Sequence, residues 1–255
     1  MDAGLTPAQN RWMIRVQARQ MSMSNQNALP ESSMQTNATV LMLAYGLRPN
    51  LTLIGMQGWM NRSMNMMGSS QTTSGSADLN LLLKYRVYRH NTRVHTLGIA
   101  ATSKLTIPSG YNAFSDGYYS FTPGFYLSYR RENWAFDASA TYRIQNLFES
   151  STPENKRGSD INWDGAIAHQ FSIGSNRNFA IAPVLEGNLS ISKPSQAAHD
   201  LVVNKMTVLL LSPGLKVTYS SLILEALIQK PIFENVPSGS MQTDFRARIG
   251  FRYML

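Results

Sequence analysis

Thr243-Asp-Phe-Arg-Ala-Arg-Ile-Gly-Phe-Arg-Tyr-Met-Leu255 is the stretch whose reading decides the fold. Phe245, Ala247, Ile249, Phe251, Tyr253 and Leu255 alternate with Asp244, Arg246, Arg248 and Arg252, a period of two that describes a strand with one apolar and one charged face. In a soluble protein an aromatic, apolar strand end would fray against water. Here the apolar face expects lipid. The soluble alternative is the edge strand of a β-sandwich, and the rest of the chain weighs against it.

Charged residues make up only 15% of the 255, aromatics 10%, and there is no cysteine. That excludes thiolate metal sites and cysteine nucleophiles. The longest fully apolar run, Val40-Leu-Met-Leu-Ala-Tyr45, falls far short of the roughly 20 residues a membrane helix needs. A closed barrel is then the remaining way to cross a bilayer. Met1-Asp-Ala-Gly-Leu5 has neither the basic start nor the apolar core of a signal peptide. The barrel reading therefore expects a mature chain behind a start Met, placed in the outer membrane of a Gram-negative bacterium. A net charge of +8 would point a soluble protein towards nucleic acid. The basic residues instead stand singly along alternating segments, so lipid is the expected neighbour and no nucleic acid is expected.

Taken in order, residues 1–10 have no period and read as an irregular arm. Residues 11–23 put Trp12, Ile14, Val16 and Ala18 on one face and Arg11, Met13, Arg15, Gln17 and Arg19 on the other. An arginine on the lipid side at mid-bilayer costs about 2 to 4 kcal/mol, so the arginine face must look inward. A loop over residues 24–37 leads to a strand with Leu41, Leu43, Tyr45 and Leu47 outward; residues 51–60 are apolar on both sides, and a second polar loop spans 61–76. The next strand places Asp78, Asn80, Leu82, Lys84 and Arg86 inward opposite Leu79, Leu81, Leu83, Tyr85 and Val87. Another carries Asp137 and Arg143 opposite Phe136 and Tyr142. Asp164, Glu186 and Glu225 face the same interior from later strands, and Arg246, Arg248 and Arg252 do so from the last. Loops are expected at 108–117, 149–159, 193–200 and 234–242, and an unbroken strand at 161–173.

Short turns near residues 49, 90, 132, 175 and 220 recur every 41 to 45 residues or so, with longer polar loops between them. That asymmetry, and the outward aromatics Tyr45, Tyr85, Tyr129, Phe171, Tyr219 and Tyr253 just ahead of the turns or the chain end, fit one interfacial girdle of a membrane barrel. The fold expected is all-β: an antiparallel up-and-down transmembrane barrel of about 12 strands, monomeric, formed by residues 11–255 behind a periplasmic or lumenal segment 1–10.

No catalytic centre is legible. His90, His95, His169 and His199 are dispersed, outside any His-x-x-x-His pattern, and no cofactor or metal is expected. The inward set Arg11, Arg15, Arg19, Lys84, Arg86, Asp137, Arg143, Asp164, Glu186, Glu225, Arg246, Arg248 and Arg252 reads either as a salt-bridge web bracing the wall or as a basic stripe that selects solutes. Met13, Met42, Leu82, Tyr126, Val184, Leu210, Ile223 and Leu227 share that interior, which suits a narrow, partly apolar passage. Pro123, Pro183 and Pro213 fall within strands on the outward face, and each withholds a ladder N–H. Each therefore marks a bulge that shapes the barrel or a lateral opening in its wall. Met21, Met23, Met64, Met66 and Met67 fall in or beside the loops. Thioethers suit a hydrophobic collecting surface and, less strongly, Cu(I).

Residues 248–255 resemble the C-terminal signature of outer-membrane barrels, a polar residue, Gly250, then Tyr253 and Leu255. Leu5-Thr-Pro followed by Arg11-Trp-Met-Ile-Arg-Val16, Ala77-Asp-Leu-Asn-Leu-Leu-Leu-Lys-Tyr-Arg-Val-Tyr88, Leu211-Ser-Pro-Gly-Leu215 and Thr243 to Tyr253 together resemble the outer-membrane channel family known as phenol-degradation meta-pathway proteins. The resemblance implies a monomeric barrel of about twelve strands, an N-terminal segment in the lumen, and uptake of small hydrophobic molecules, aromatic or lipid-like. It also implies a side exit that would fall on the proline-bearing strands. The alternative function on the same barrel is a narrow hydrophilic or anion-selective pore using the arginine stripe; a methionine-rich Cu(I)-binding protein stands third.

Overall fold

Trp12, Val16, Leu43 and Leu53 are each 40% exposed or more, whereas Met13, Arg15, Gln17, Ala44 and Thr52 between them are 3% exposed or less. Burial is thus inverted relative to a soluble sheet: the apolar face looks out and the polar face is covered. The computed structural model describes residues 7–25, 32–66, 69–111, 113–145, 159–174, 178–192, 206–236 and 241–255. These form strands and turns with no helix among the described residues.

The strands are β1 (Trp12–Asn25), β2 (Ser32–Arg48), β3 (Leu51–Met66), β4 (Ser69–Ser76), β5 (Leu79–Asn91), β6 (His95–Ile107) and β7 (Ser120–Arg131), followed by β8 (Trp134–Gln145), β9 (Asp160–His169), β10 (Phe171–Ile173), β11 (Phe179–Ser192), β12 (Met206–Tyr219), β13 (Leu222–Asn235) and β14 (Gln242–Met254). Every pairing is antiparallel. β14 closes on β1, from Met13 opposite Met254 to Ser24 opposite Gln242, so no sheet edge is left there. β4 and β5 follow one another along β3, and β9 and β10 along β11. Fourteen segments less these two continuations make a closed barrel of twelve wall strands.

All four tryptophans, Trp12, Trp59, Trp134 and Trp163, lie on the outer face at 44–51% exposure. At the short-turn end Trp12 packs on Tyr45 at 4.6 Å, and His95, Tyr129, Phe136, Trp134, His169 and Phe171 form a chain of neighbouring rings. This is the aromatic girdle at the periplasmic interface. Two of its turns are tight enough to force a left-handed backbone at non-glycine residues, φ 51° at Glu132 and 52° at Ser220.

Three expectations need correction. Residues 61–76 are not a loop: β3 runs on to Met66 and β4 returns beside it, with Asn61 Nδ2 donating to Ser74 Oγ at 3.0 Å and the Ser63 and Thr72 hydroxyls 3.1 Å apart. β2 likewise starts at Ser32, inside the expected 24–37 loop. Gln20, Ser22, Asn37 and Asn61 continue the outer face there, so the strands rise past the apolar band into water, where an outward polar residue costs nothing. The expected strand 161–173 is broken at Gln170, which falls at the level of Ala182, next to Pro183: β9 pairs with β11 from Val184 onward and β10 pairs with it up to Ile181. The loops at 149–159 and 193–200 lie mostly outside the described residues, as do residues 1–6 of the arm.

The described part of the arm lies against the inner face of β2. Asn10 N donates to Gly46 O at 2.8 Å, Gly46 N donates to Arg11 O at 3.1 Å, and Pro7 is buried.

Candidate solute path through the lumen

The inward residues gather at three levels. Near the short-turn end Glu225 on β13 accepts from two arginines, Arg15 Nη2 at 3.1 Å and Arg252 Nη2 at 2.7 Å, from adjacent strands β1 and β14. Arg15 is 1% exposed and Arg252 4%. Across the lumen Asp137 on β8 takes both Arg130 guanidinium nitrogens at 2.9 Å and the Tyr126 hydroxyl at 2.6 Å, while Lys84 Nζ stands 4.6 Å from the centre of the Tyr126 ring. A cavity of about 60 Å³ is lined by both groups, among them Arg130, Asp137, Glu186, Lys216, Glu225 and Arg252. Arg130 and Arg252 sit on strands six wall positions apart in a twelve-strand ring, so the two sides of the barrel nearly meet here. The space holds only a few waters.

One level up, Arg248 Nη2 reaches Glu186 Oε2 at 2.8 Å over the intervening β12 and β13. A polar chain runs beside it: Ser139 Oγ donates to Asp164 at 3.0 Å, Asn188 Nδ2 to the other Asp164 oxygen at 2.7 Å, and Gln229 Nε2 to Asn188 Oδ1 at 3.0 Å and to Ser212 Oγ at 2.9 Å. Arg246 lines the same hollow.

Towards the long-loop end the described residues of the segment, 108–111 and 113–119, fold inward. Asp78, 6% exposed, accepts the backbone N–H groups of Gly110 at 3.0 Å and Asp116 at 2.9 Å. Arg143 on β8 pairs with Asp116 and lies 3.8 Å from Asp160, and the Arg62 guanidinium on β3 stands 5.1 Å from the centre of the Phe114 ring. A single loop is therefore tied to β3, to the β4–β5 junction and to β8, and it lies across part of the mouth.

Of the inward set, Arg15, Glu186, Glu225, Arg248 and Arg252 come together, Lys84 and Asp137 form the opposite bank, and Arg143 belongs to the inward loop. Arg86 lines a wider hollow with Lys84 and Arg130. Arg19 is exposed and donates its Nε to Gln17 Oε1 at 2.8 Å, and Arg11, ahead of β1, is also exposed. Arg130, Lys216 and Asp116 were missed, and Asp78, inward by its alternation with Ala77 and Leu79, gave no sign of the loop it holds. For Arg130 and Lys216 the signal was present, since each sits between two outward residues, Tyr129 and Arg131 or Leu215 and Val217.

Each strand proline has lost a partner on one side. Between β7 and β8 two rungs are missing, from Phe121–Ile144 to Gly124–Thr141, at Thr122 and Pro123; between β12 and β13 two are missing, from Leu211–Lys230 to Gly214–Leu227, at Ser212 and Pro213, with the register unchanged across each gap. Pro183 faces the β9–β10 break. Behind the first two, a glycine closes the seam: a Cβ on Gly124 would lie 2.7 Å from Ala140 O, and one on Gly214 would lie 2.5 Å from Ala226 O.

The methionines are on strands. Met21, Met23, Met34, Met64 and Met66 belong to the inward faces of β1, β2 and β3 above the apolar band, so they line the vestibule and are not loop residues. Met67 lies outside the described residues. Among the described residues no group of three or more His, Cys, Asp or Glu is placed to hold a metal ion.

The sequence profile of a family described as "Putative MetA-pathway of phenol degradation" matches residues 24–244. No curated protein matches the chain. The fold is similar to that of a COG4313 outer membrane channel from Pseudomonas putida F1, at a TM-score of 0.69 and 17% identity with 100% of both chains covered. It is also similar to the β domain of the Bordetella autotransporter BrkA, at 0.57 and 9% with 96% of this chain and 99% of that one, and to the NanC porin, at 0.52 and 13% with 94% and 100%. At these identities the likeness is one of fold, that of an outer-membrane β-barrel of Gram-negative bacteria.

Proposed function

The chain belongs to this phenol-degradation family of outer-membrane barrels, and from that premise we propose that it is a passive channel for uptake of small hydrophobic molecules, aromatic or lipid-like. The observation that carries the reading is the contrast between the two ends of the lumen. The upper vestibule offers thioethers and Phe114, whereas the lower lumen narrows to a cavity of about 60 Å³ between banks of ion-paired residues. A sugar or amino acid has little room to pass that pinch. An apolar solute gains nothing from entering it, and its natural departure is sideways into lipid. The seams at Pro123 and Pro213 supply the place, where two rungs of the ladder are missing before pairing resumes at Gly124 and Gly214. No chemistry is assigned to the protein, which acts as a monomer.

The second reading, a narrow anion-selective pore, is favoured by the basic residues at the pinch. Liposome swelling separates the two. The hydrophobic channel gives swelling with small sugars and with chloride salts near the protein-free rate. An anion pore gives rapid swelling in chloride that Arg248→Gln slows.

A further inference from the structure

Register across the first three strands sets Met23 opposite Met34 and Met34 opposite Met64, so three thioethers stand side by side in one rung of the inner wall. Their face follows from continuous pairing with covered residues: Met23 shares the parity of Arg15 and Gln17 on β1, Met34 that of Thr36 and Ala44 on β2, and Met64 that of Thr52 and Gly58 on β3. None of the three is fully buried or fully exposed. Met21 lies two residues below Met23 and Met66 two above Met64 on the same face, giving five thioethers over three adjacent strands.

We propose that Met23, Met34 and Met64 form a binding site for a soft monovalent d10 cation, Cu(I) or Ag(I), at the extracellular mouth. Adjacent strands are about 4.8 Å apart, so directly opposed side chains on three of them can turn inward to one point, and methionine's three rotatable bonds let each sulfur find it. Neutral thioethers select soft ions and reject Mg²⁺, Ca²⁺ and Zn²⁺, which seek oxygen, imidazole or thiolate. Unlike thiolates or imidazoles they do not titrate, so the site works at any external pH. The next rung carries two cations, Arg62, whose guanidinium stands 5.1 Å from the centre of the Phe114 ring, and Arg246 opposite Met21 on β14, which lines the hollow that holds Asp164 and Asn188. Binding needs no redox step, since the ion arrives and leaves as a monovalent cation.

The test is anaerobic titration of the full chain in detergent with Cu(I) held by the chromophoric chelator bicinchoninate, repeated with Ag(I) by calorimetry. The expected result is one ion per chain, with sulfur-only coordination by X-ray absorption. Met34→Leu, which removes the central thioether and keeps the apolar volume, should weaken binding about tenfold or more. Met42→Leu with Met56→Leu, an opposed pair deeper on the same strands, should leave it unchanged. Failure to draw Cu(I) from the chelator, or equal affinity in Met34→Leu, overturns the proposal. Because leucine preserves the hydrophobic surface, loss of metal binding with solute uptake intact separates this site from the channel function.

Discussion

Arg248 and Glu186 meet at 2.8 Å although two strands lie between the strands that carry them. Their side chains are only 16% and 3% exposed, so water does little to solvate either charge. Removing one partner of such a pair leaves an uncompensated charge and costs about 3 to 5 kcal/mol. Glu186→Gln should therefore lower stability in detergent by about that amount, and Arg248→Gln added to it should recover much of the loss. Equilibrium urea unfolding of the two single variants and the double variant, taken as a cycle, measures the coupling. Additive losses would show that the pair is not a unit.

Ile249, 64% exposed on the outer face of β14, would tolerate almost any substitution in a soluble protein. Facing hydrocarbon between Phe251 and Ala247, it should not. Ile249→Arg is expected to cost about 2 to 4 kcal/mol in folding into lipid vesicles. A neutral outcome there would argue that this face is wet.

Asp78 holds the inward loop by two backbone N–H groups, and a hydrogen bond to a charged acceptor contributes about 1.5 to 3 kcal/mol. Asp78→Ala should free the segment containing Tyr111, Phe114, Tyr118 and Tyr119, seen as chymotrypsin cleavage of intact cells at least about tenfold faster than in the parent protein. Unchanged cleavage would mean that the Arg143–Asp116 pair alone suffices.

Gly214→Ala would press a Cβ to 2.5 Å from the Ala226 carbonyl oxygen, and Gly124→Ala one to 2.7 Å from that of Ala140. Each should destabilise by about 1 to 3 kcal/mol through strand displacement. Gly98→Ala, on β6 with nothing within 4 Å, should be tolerated. Thermal melts of the three variants decide it. The same seam can be locked: a disulfide between Pro213→Cys and Ile228→Cys should stop hydrophobic uptake when oxidised and restore it when reduced, if solute leaves there.

The period of two, with arginines on one face, was enough to orient β1, β5, β8 and β14, because a lipid-facing charge is costly and leaves a single choice. It could not orient β3, apolar on both sides; that face follows only from pairing with β2, Leu53 opposite Tyr45 outward and Thr52 opposite Gly46 inward. Nor did it reveal the strands above the bilayer. Once both faces meet water, the alternation that marks a strand disappears, and Ser69 to Ser76 has the composition of a loop. The inward turn of 108–119 depends on Asp78, which is distant from Asp116 in sequence, and one aspartate among polar residues announces no partner.

Uptake is the most direct test of the central claim. Radiolabelled monoaromatic and long-chain solutes, beside sugars and amino acids, would be offered to cells with an intact outer membrane, with and without this protein. The account predicts faster entry of the apolar solutes alone. Faster entry of the sugars or amino acids, with the apolar solutes unchanged, would contradict it and make the charged lumen the working path.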